Sequence, residues 1–156
     1  MIEQGPPEQR LAELGITLPE AAAPVASYVA AVEAGGMLYI SGQVSFVDGT
    51  LMTGKVGAER SEEDAIAAAR GCGLMLIAQI KKALGSLDRV ERIVKLGAFV
   101  ACTPDYTGQP KVANGASELM QAVFGDAGKH ARSAVGVPVL PLDATVEIDA
   151  VVQVRK

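Results

Sequence analysis

The sequence predicts an α+β fold of order β-β-α-β-α-β-β, a mixed sheet with two helices covering one face. Two segments, 61–84 and 110–124, place apolar residues at helical spacing. Segments near 28–41, 90–102 and 133–154 instead alternate or run short and apolar, as strands do. Glycine and proline mark the joins between them. The 156 residues suit one domain over 25–156, preceded by a leader at 1–24.

In the leader, Leu11, Leu14 and Ile16 can pack as one side of a short amphipathic helix, leaving Glu8, Gln9, Arg10 and Glu13 to water. Strand, turn, strand follows from Tyr28 to Ser41, with Gly35-Gly36 as the turn. The stretch from Val44 to Gly57 reads as a loop with one hairpin-like turn at Asp48-Gly49. Ser61 is placed to cap the first long helix, and Glu62, Glu63 and Asp64 suit the positive end of its dipole. Ala65, Ala69, Cys72, Leu76, Ile80 and Ala83 form its apolar stripe, Gly85 stops it, and its small residues permit close approach to a sheet.

Val90 to Cys102 reads as a strand. A second helix spans about Pro110 to Phe124, ended by Gly125, with Val112, Ala116, Leu119, Met120, Val123 and Phe124 on its apolar side. Strands over Ser133–Leu140 and Ala144–Val154 close the chain, joined at Pro141-Leu142-Asp143. In the last strand Val146, Ile148, Ala150 and Val152 share one face, and Thr145, Glu147, Asp149 and Val151 the other. Two helices cover only one sheet face, and the other carries too many Ala and Val to face water. Association through that face is the economical expectation.

Composition removes several functions. A net charge of −4 and 4% aromatic residues disfavour nucleic acid, which needs a basic face and stacking rings. One histidine excludes chemistry needing two imidazoles from one chain. Cys72 and Cys102 lack ligand spacing and read as reduced core residues, so neither a zinc site nor a thiol nucleophile is expected. No phosphate-binding glycine motif occurs. No secretory pattern opens the chain and no apolar run reaches the roughly 18–20 residues of a membrane span. The expectation is a cytoplasmic protein without membrane or nucleic-acid partners.

Three polar side chains stand out. His130, in Gly-Lys-His-Ala-Arg before a strand, reads as a surface-loop histidine, because no Ser, Cys or Asp occupies an obvious partnering position. Arg132 opens a strand of small residues and is either an edge-strand arginine or a bidentate fork for a carboxylate. Glu147, inside the final strand, is either an ion-pair partner on the sheet face or a site carboxylate.

With these two residues the sequence acquires a family pattern. The stretch 131–150, ARSAVGVPVLPLDATVEIDA, resembles the signature of the Rid family, the YjgF-like reactive-intermediate deaminases. That signature runs Arg-Ser-x-Val-x-Val, Leu-Pro, then Val-Glu-Ile-x-Ala. Ile40-Ser41-Gly42-Gln43 matches the family's Ser-Gly-Gln, Tyr28 falls where it has a site tyrosine, and the resemblance covers roughly Tyr28 to Val154. It implies a chorismate-mutase-like fold assembled as a homotrimer, with ligand pockets between subunits. It also implies hydrolysis of small 2-imino or enamine acids to 2-oxo acids and ammonia, without cofactor or metal.

On this resemblance Arg132 holds the substrate carboxylate and Glu147 positions or activates water. Tyr28, Ser41 and Gly42 line the pocket. Ala134 stands where the family's deaminases often have Cys, and Asn114 is the candidate for a pocket-lining asparagine. The leader to about Pro24 and the stretch from Pro110 depart from the compact members. The alternatives are a non-catalytic trimeric binder of small carboxylates and the family's older label, endoribonuclease. The acidic balance and scarce aromatics argue against the latter.

Overall fold

A computed structural model describes residues 6–156. Helix α1 spans Pro6–Glu13, α2 Glu62–Leu84 and α3 Gln109–Phe124. Strands β1 (Ala31–Ala34), β2 (Met37–Val44), β5 (Val90–Ala101), β6 (Ala131–Val137) and β7 (Val146–Val154) form one sheet in the order β1-β2-β7-β5-β6. Only β5 and β6 are parallel, and α3 lies on the crossover between them. The loop expected over 44–57 contains a small hairpin, β3 (Phe46–Val47) with β4 (Thr50–Leu51), turning at Asp48-Gly49.

Helix α2 begins where Ser61 and Asp64 cap each other's backbone amides and ends on Gly85. The expected stripe is buried from Ala65 to Ile80, but Leu84, not Ala83, closes it. Helix α3 buries all six of its expected apolar residues. The small residues of α2 serve helix packing as well as the sheet. A Cβ at Gly115 of α3 would strike the Ile66 carbonyl, and one at Gly73 would come within 3.0 Å of Leu119 Cδ2. Both cysteines are free and buried.

The leader docks on the helical layer. Leu11 is buried, Arg10 Nη1 donates to the Val123 carbonyl at 3.3 Å, and Glu8 accepts from the Leu87 amide at 3.2 Å. Ile16 packs on the core, while Leu14, expected to pack with it, is exposed beyond the helix end. The described residues thus contain three α-helices, one more than the two-helix layer.

Strand ends differ from expectation in several places, most visibly in the first and the penultimate strands. The first strand begins at Ala31, not Tyr28, because the backbone bends through residues 25–28 before it straightens. The penultimate strand runs 131–137 and stops at Pro138, which has no amide to continue the ladder.

Sheet register decides which residues share a face. Val146, Ile148, Ala150 and Val152 are buried beneath the helices, as expected. The opposite face exposes Val32, Tyr39 and Val135, each 46–49% accessible, beside Glu147 and Asp149. No helix of the described residues is long and apolar enough to cross a membrane.

Candidate functional site

Arg132 pairs with Leu96 in the parallel β5–β6 ladder, and Leu96 pairs with Ala150 of β7. Its side chain therefore leaves the sheet on the helical face, at the outer edge, where α3 receives it. Nη1 donates to Asn114 Oδ1 at 2.9 Å and to Ser117 Oγ at 3.0 Å, and Nη2 donates to the Pro110 carbonyl at 3.3 Å. Three bonds to one helix fix the guanidinium plane. Two of its five N–H donors remain, one on Nε, and among the described residues no carboxylate lies within ion-pair distance. Asn114 thus meets the arginine directly. Ala134, two residues along β6, packs part-buried against the core on the same side.

Glu147 stands on the other face. It pairs with Phe99 of β5 and with Val44 of β2, and Phe99 pairs with Val135. A bulge in β2 between Ile40 and Gln43 carries Ser41 and Gly42 out of the regular ladder. The bulge turns Gln43 inward, where its amide oxygen accepts from Gln79 of α2 at 3.2 Å. It also lays the Gly42 backbone under the Glu147 carboxyl: a Cβ there would lie 2.8 Å from Glu147 Cδ. Any larger residue there would displace the Glu147 carboxyl from this seat.

Glu147, Gly42 and Tyr28 line a cavity of about 440 Å³, roofed by Ala22–Ala26, where the leader joins the domain. Its other walls, which include Val44, Phe46 and Leu142, are largely apolar. Gln79 Nε2 holds the roof by donating to the Ala22 carbonyl at 2.8 Å. Ser41 contributes differently from the expected lining role. Its hydroxyl donates to the Val29 carbonyl at 2.8 Å, pinning the segment that carries Tyr28. Burial first, and the Asp149 carboxylate second, raise the Glu147 pKa above the usual carboxylate value.

The sequence-predicted residues therefore fall into two groups within one chain. Arg132, Asn114 and Ala134 lie on the helical side, whereas Glu147, Gly42 and Tyr28 gather across the sheet, with Ser41 behind them.

His130 is not the surface-loop residue its position suggests. It is half-buried, with Nε2 2.8 Å from Ser117 Oγ and Nδ1 2.6 Å from the Gly128 carbonyl. The sequence alone does not bring Ser117 and His130 to Arg132, although spacing carries a trace of both. Ser117 follows Asn114 by three on a helix, hence on one side. His130 precedes Arg132 by two on extended chain, hence on one face.

Residues 8–152 match the family described as "YjgF/chorismate mutase-like, putative endoribonuclease". The chain belongs to this YjgF-like Rid family. Among relatives, it is 48% identical to Protein TCP17 of Trypanosoma cruzi, over 99% of this chain and 98% of that one. It is 28% identical to a 2-iminobutanoate/2-iminopropanoate deaminase of Dermatophagoides farinae, over 90% of this chain and 95% of the other. The crystal structure of Atu1372 from Agrobacterium tumefaciens superposes with a TM-score of 0.88 at 45% identity, covering 95% of this chain and 92% of that one. The Rid fold accounts for the sheet order and the helical layer. Both stretches that carry the Rid pattern, the Ser-Gly-Gln bulge and 131–150, fall on the two groups just described.

Proposed function

We propose that this Rid-family chain hydrolyses small 2-imino acids to 2-oxo acids and ammonia, in pockets formed between subunits of a homotrimer. One observation carries the reading: a guanidinium fixed by three bonds to α3, free of any carboxylate among the described residues, with donors to spare. Such a fork suits a ligand carboxylate, whose two oxygens it can meet in plane. The deaminase relative supports the choice of an imino acid as that ligand.

The reaction asks little more of the protein. The C=N carbon of a protonated imine is electrophilic, so water adds once it is placed. Glu147 takes a proton from that water as the C–O bond forms. It then returns that proton to nitrogen and takes the hydroxyl proton as the carbonyl forms and the C–N bond breaks, and this last proton leaves with the ammonia as ammonium. A carboxyl whose pKa is raised by burial suits both transfers. Neither step calls on a metal or cofactor.

A pocket that uses Arg132 and Glu147 together draws them from different copies, since the sheet lies between them in one chain. The exposed apolar face with Val32, Tyr39 and Val135 supports association of copies through the sheet. The endoribonuclease label of the family finds little support in a chain of net charge −4.

An amino-acid oxidase generating 2-imino acids in the presence of semicarbazide provides the test. The protein is expected to suppress semicarbazone formation, and to elute at trimer mass in light scattering. Failure to suppress trapping across small, branched and aromatic imino acids, with 2-oxo acids still bound, would identify a carboxylate-binding trimer instead.

A further inference from the structure

The hydrogen bonds around His130 form a directed chain that ends on the arginine. A backbone carbonyl can only accept, so the 2.6 Å contact with Gly128 places the ring proton on Nδ1. Nε2 of the neutral ring is then the acceptor, and the Ser117 hydroxyl, 2.8 Å away, donates to it. With its hydrogen committed to the histidine, Ser117 Oγ turns its lone pairs outward, and Arg132 Nη1 donates to it at 3.0 Å. The Gly128 carbonyl thus fixes the tautomer of His130, His130 fixes the rotor of Ser117, and Ser117 fixes one corner of the guanidinium. Without the histidine, the hydroxyl can turn its hydrogen toward Nη1.

We propose that His130 is a positioning residue for Arg132, acting through Ser117 to hold the guanidinium in the orientation that receives a carboxylate. This rests on the reading of Arg132 as the carboxylate anchor. The surroundings favour a neutral ring. Burial first lowers the His130 pKa, and the Arg132 charge lowers it further, against the opposing Gly128 bond. The other charged groups nearby balance or face solvent. Lys129 pairs with Asp126 at 3.3 Å, Arg92 of β5 donates to the Lys129 carbonyl at 2.8 Å, and Glu118 beside Ser117 is exposed.

The test is a double-mutant cycle on the full chain, read by two assays: calorimetric binding of 2-oxobutanoate, and kcat and KM for imino-acid hydrolysis. Ser117→Ala and His130→Ala are each expected to weaken 2-oxobutanoate binding and raise KM about tenfold, the scale of one lost charge-assisted hydrogen bond, with a smaller change in kcat. The double variant is expected to match Ser117→Ala alone, because the two residues act in series. His130→Gln, whose amide oxygen can accept from Ser117, is expected to recover binding to within about threefold of wild type.

Additive losses, or a His130→Ala variant that binds and turns over like wild type, would overturn the positioning role. If His130→Ala fails to fold by circular dichroism, the His130→Gln and Ser117→Ala pair decides: wild-type binding by Ser117→Ala refutes the relay. Arg132→Ala separates this failure from that of the parent reading. If Arg132→Ala also binds 2-oxobutanoate normally, or wild type neither binds nor turns over, the carboxylate anchor itself falls and the relay with it.

Discussion

The two sides of the sheet hold the candidate site residues in opposite states of completion. On the helical side Arg132 is fully supported: three bonds to α3 orient it, and a serine and a histidine stand behind one of them. On the open side Glu147 rests above Gly42, its carboxyl raised in pKa and neighboured by Asp149. One side is preorganised by its own chain; the other meets a cavity roofed by a leader and an apolar face without cover. In the proposed reaction, a binding group finished within the protomer and a proton-handling group left at a surface suit a pocket completed by a second copy.

Removing either group is expected to produce the largest effects. Arg132→Ala should lower kcat/KM for imino-acid hydrolysis about a thousandfold, the scale of two charge-assisted hydrogen bonds, without disturbing assembly. Glu147→Gln should cost about a hundredfold or more, mainly in kcat, as expected of a lost acid–base group. Mixing the two dead variants asks whether the sides cooperate within or between chains. After joint unfolding and refolding at equal amounts, about one pocket in four pairs an intact Arg132 with an intact Glu147 from a neighbour. Recovery of about a quarter of wild-type activity is expected, and no recovery would place both groups in one chain's pocket.

A smaller effect tests how Glu147 is seated. Gly42→Ala introduces a methyl 2.8 Å from Glu147 Cδ, and the carboxyl must swing away to admit it. Activity is expected to fall about tenfold while 2-oxobutanoate still binds, because the methyl displaces the Glu147 carboxyl and leaves the guanidinium that α3 holds in each copy untouched. Equal loss of binding and turnover would show that the two sides are not separable in this way. A crystal structure of the variant would display the displaced carboxyl directly.

The uneven legibility of the sequence follows the same division. The helices were readable because each writes its face at one period and is bounded by local signals, Ser61 and Gly85 for α2, Gly125 for α3. Arg132 and Glu147 were conspicuous as charges inside apolar strands. That they point to opposite faces was not readable, because it depends on two ladders. Alternation places Glu147 opposite Ile148, but only the β5–β6 register aligns Arg132 with Leu96. His130 misled for a related reason. Its partner Ser117 belongs to α3, and only tertiary packing brings that helix onto β6. Tyr28 also differed in setting, since a strand was expected where a bend presents it to the cavity.

The smallest expected effect compares the sides through their titrations, which oppose one another. In the folded chain the His130 pKa is lowered, so below about pH 6.5 the unfolded chain binds the proton more readily. Its contribution to stability is present above that pH and is lost as pH falls through the folded-state pKa. Glu147 is raised, so the folded chain holds its proton longer. Its contribution is present below the usual carboxylate pKa and is lost as pH rises through the folded-state value. Urea midpoints measured against pH at fixed protein concentration separate the two. His130→Gln should flatten the decline on the acid side of pH 6.5 and leave the carboxylate region unchanged. Glu147→Gln should reduce the decline with rising pH without abolishing it, because Asp149 is raised by burial in the same sense. Loss of both slopes in a single variant would mean that the two groups titrate as one, and that the sheet does not keep them apart.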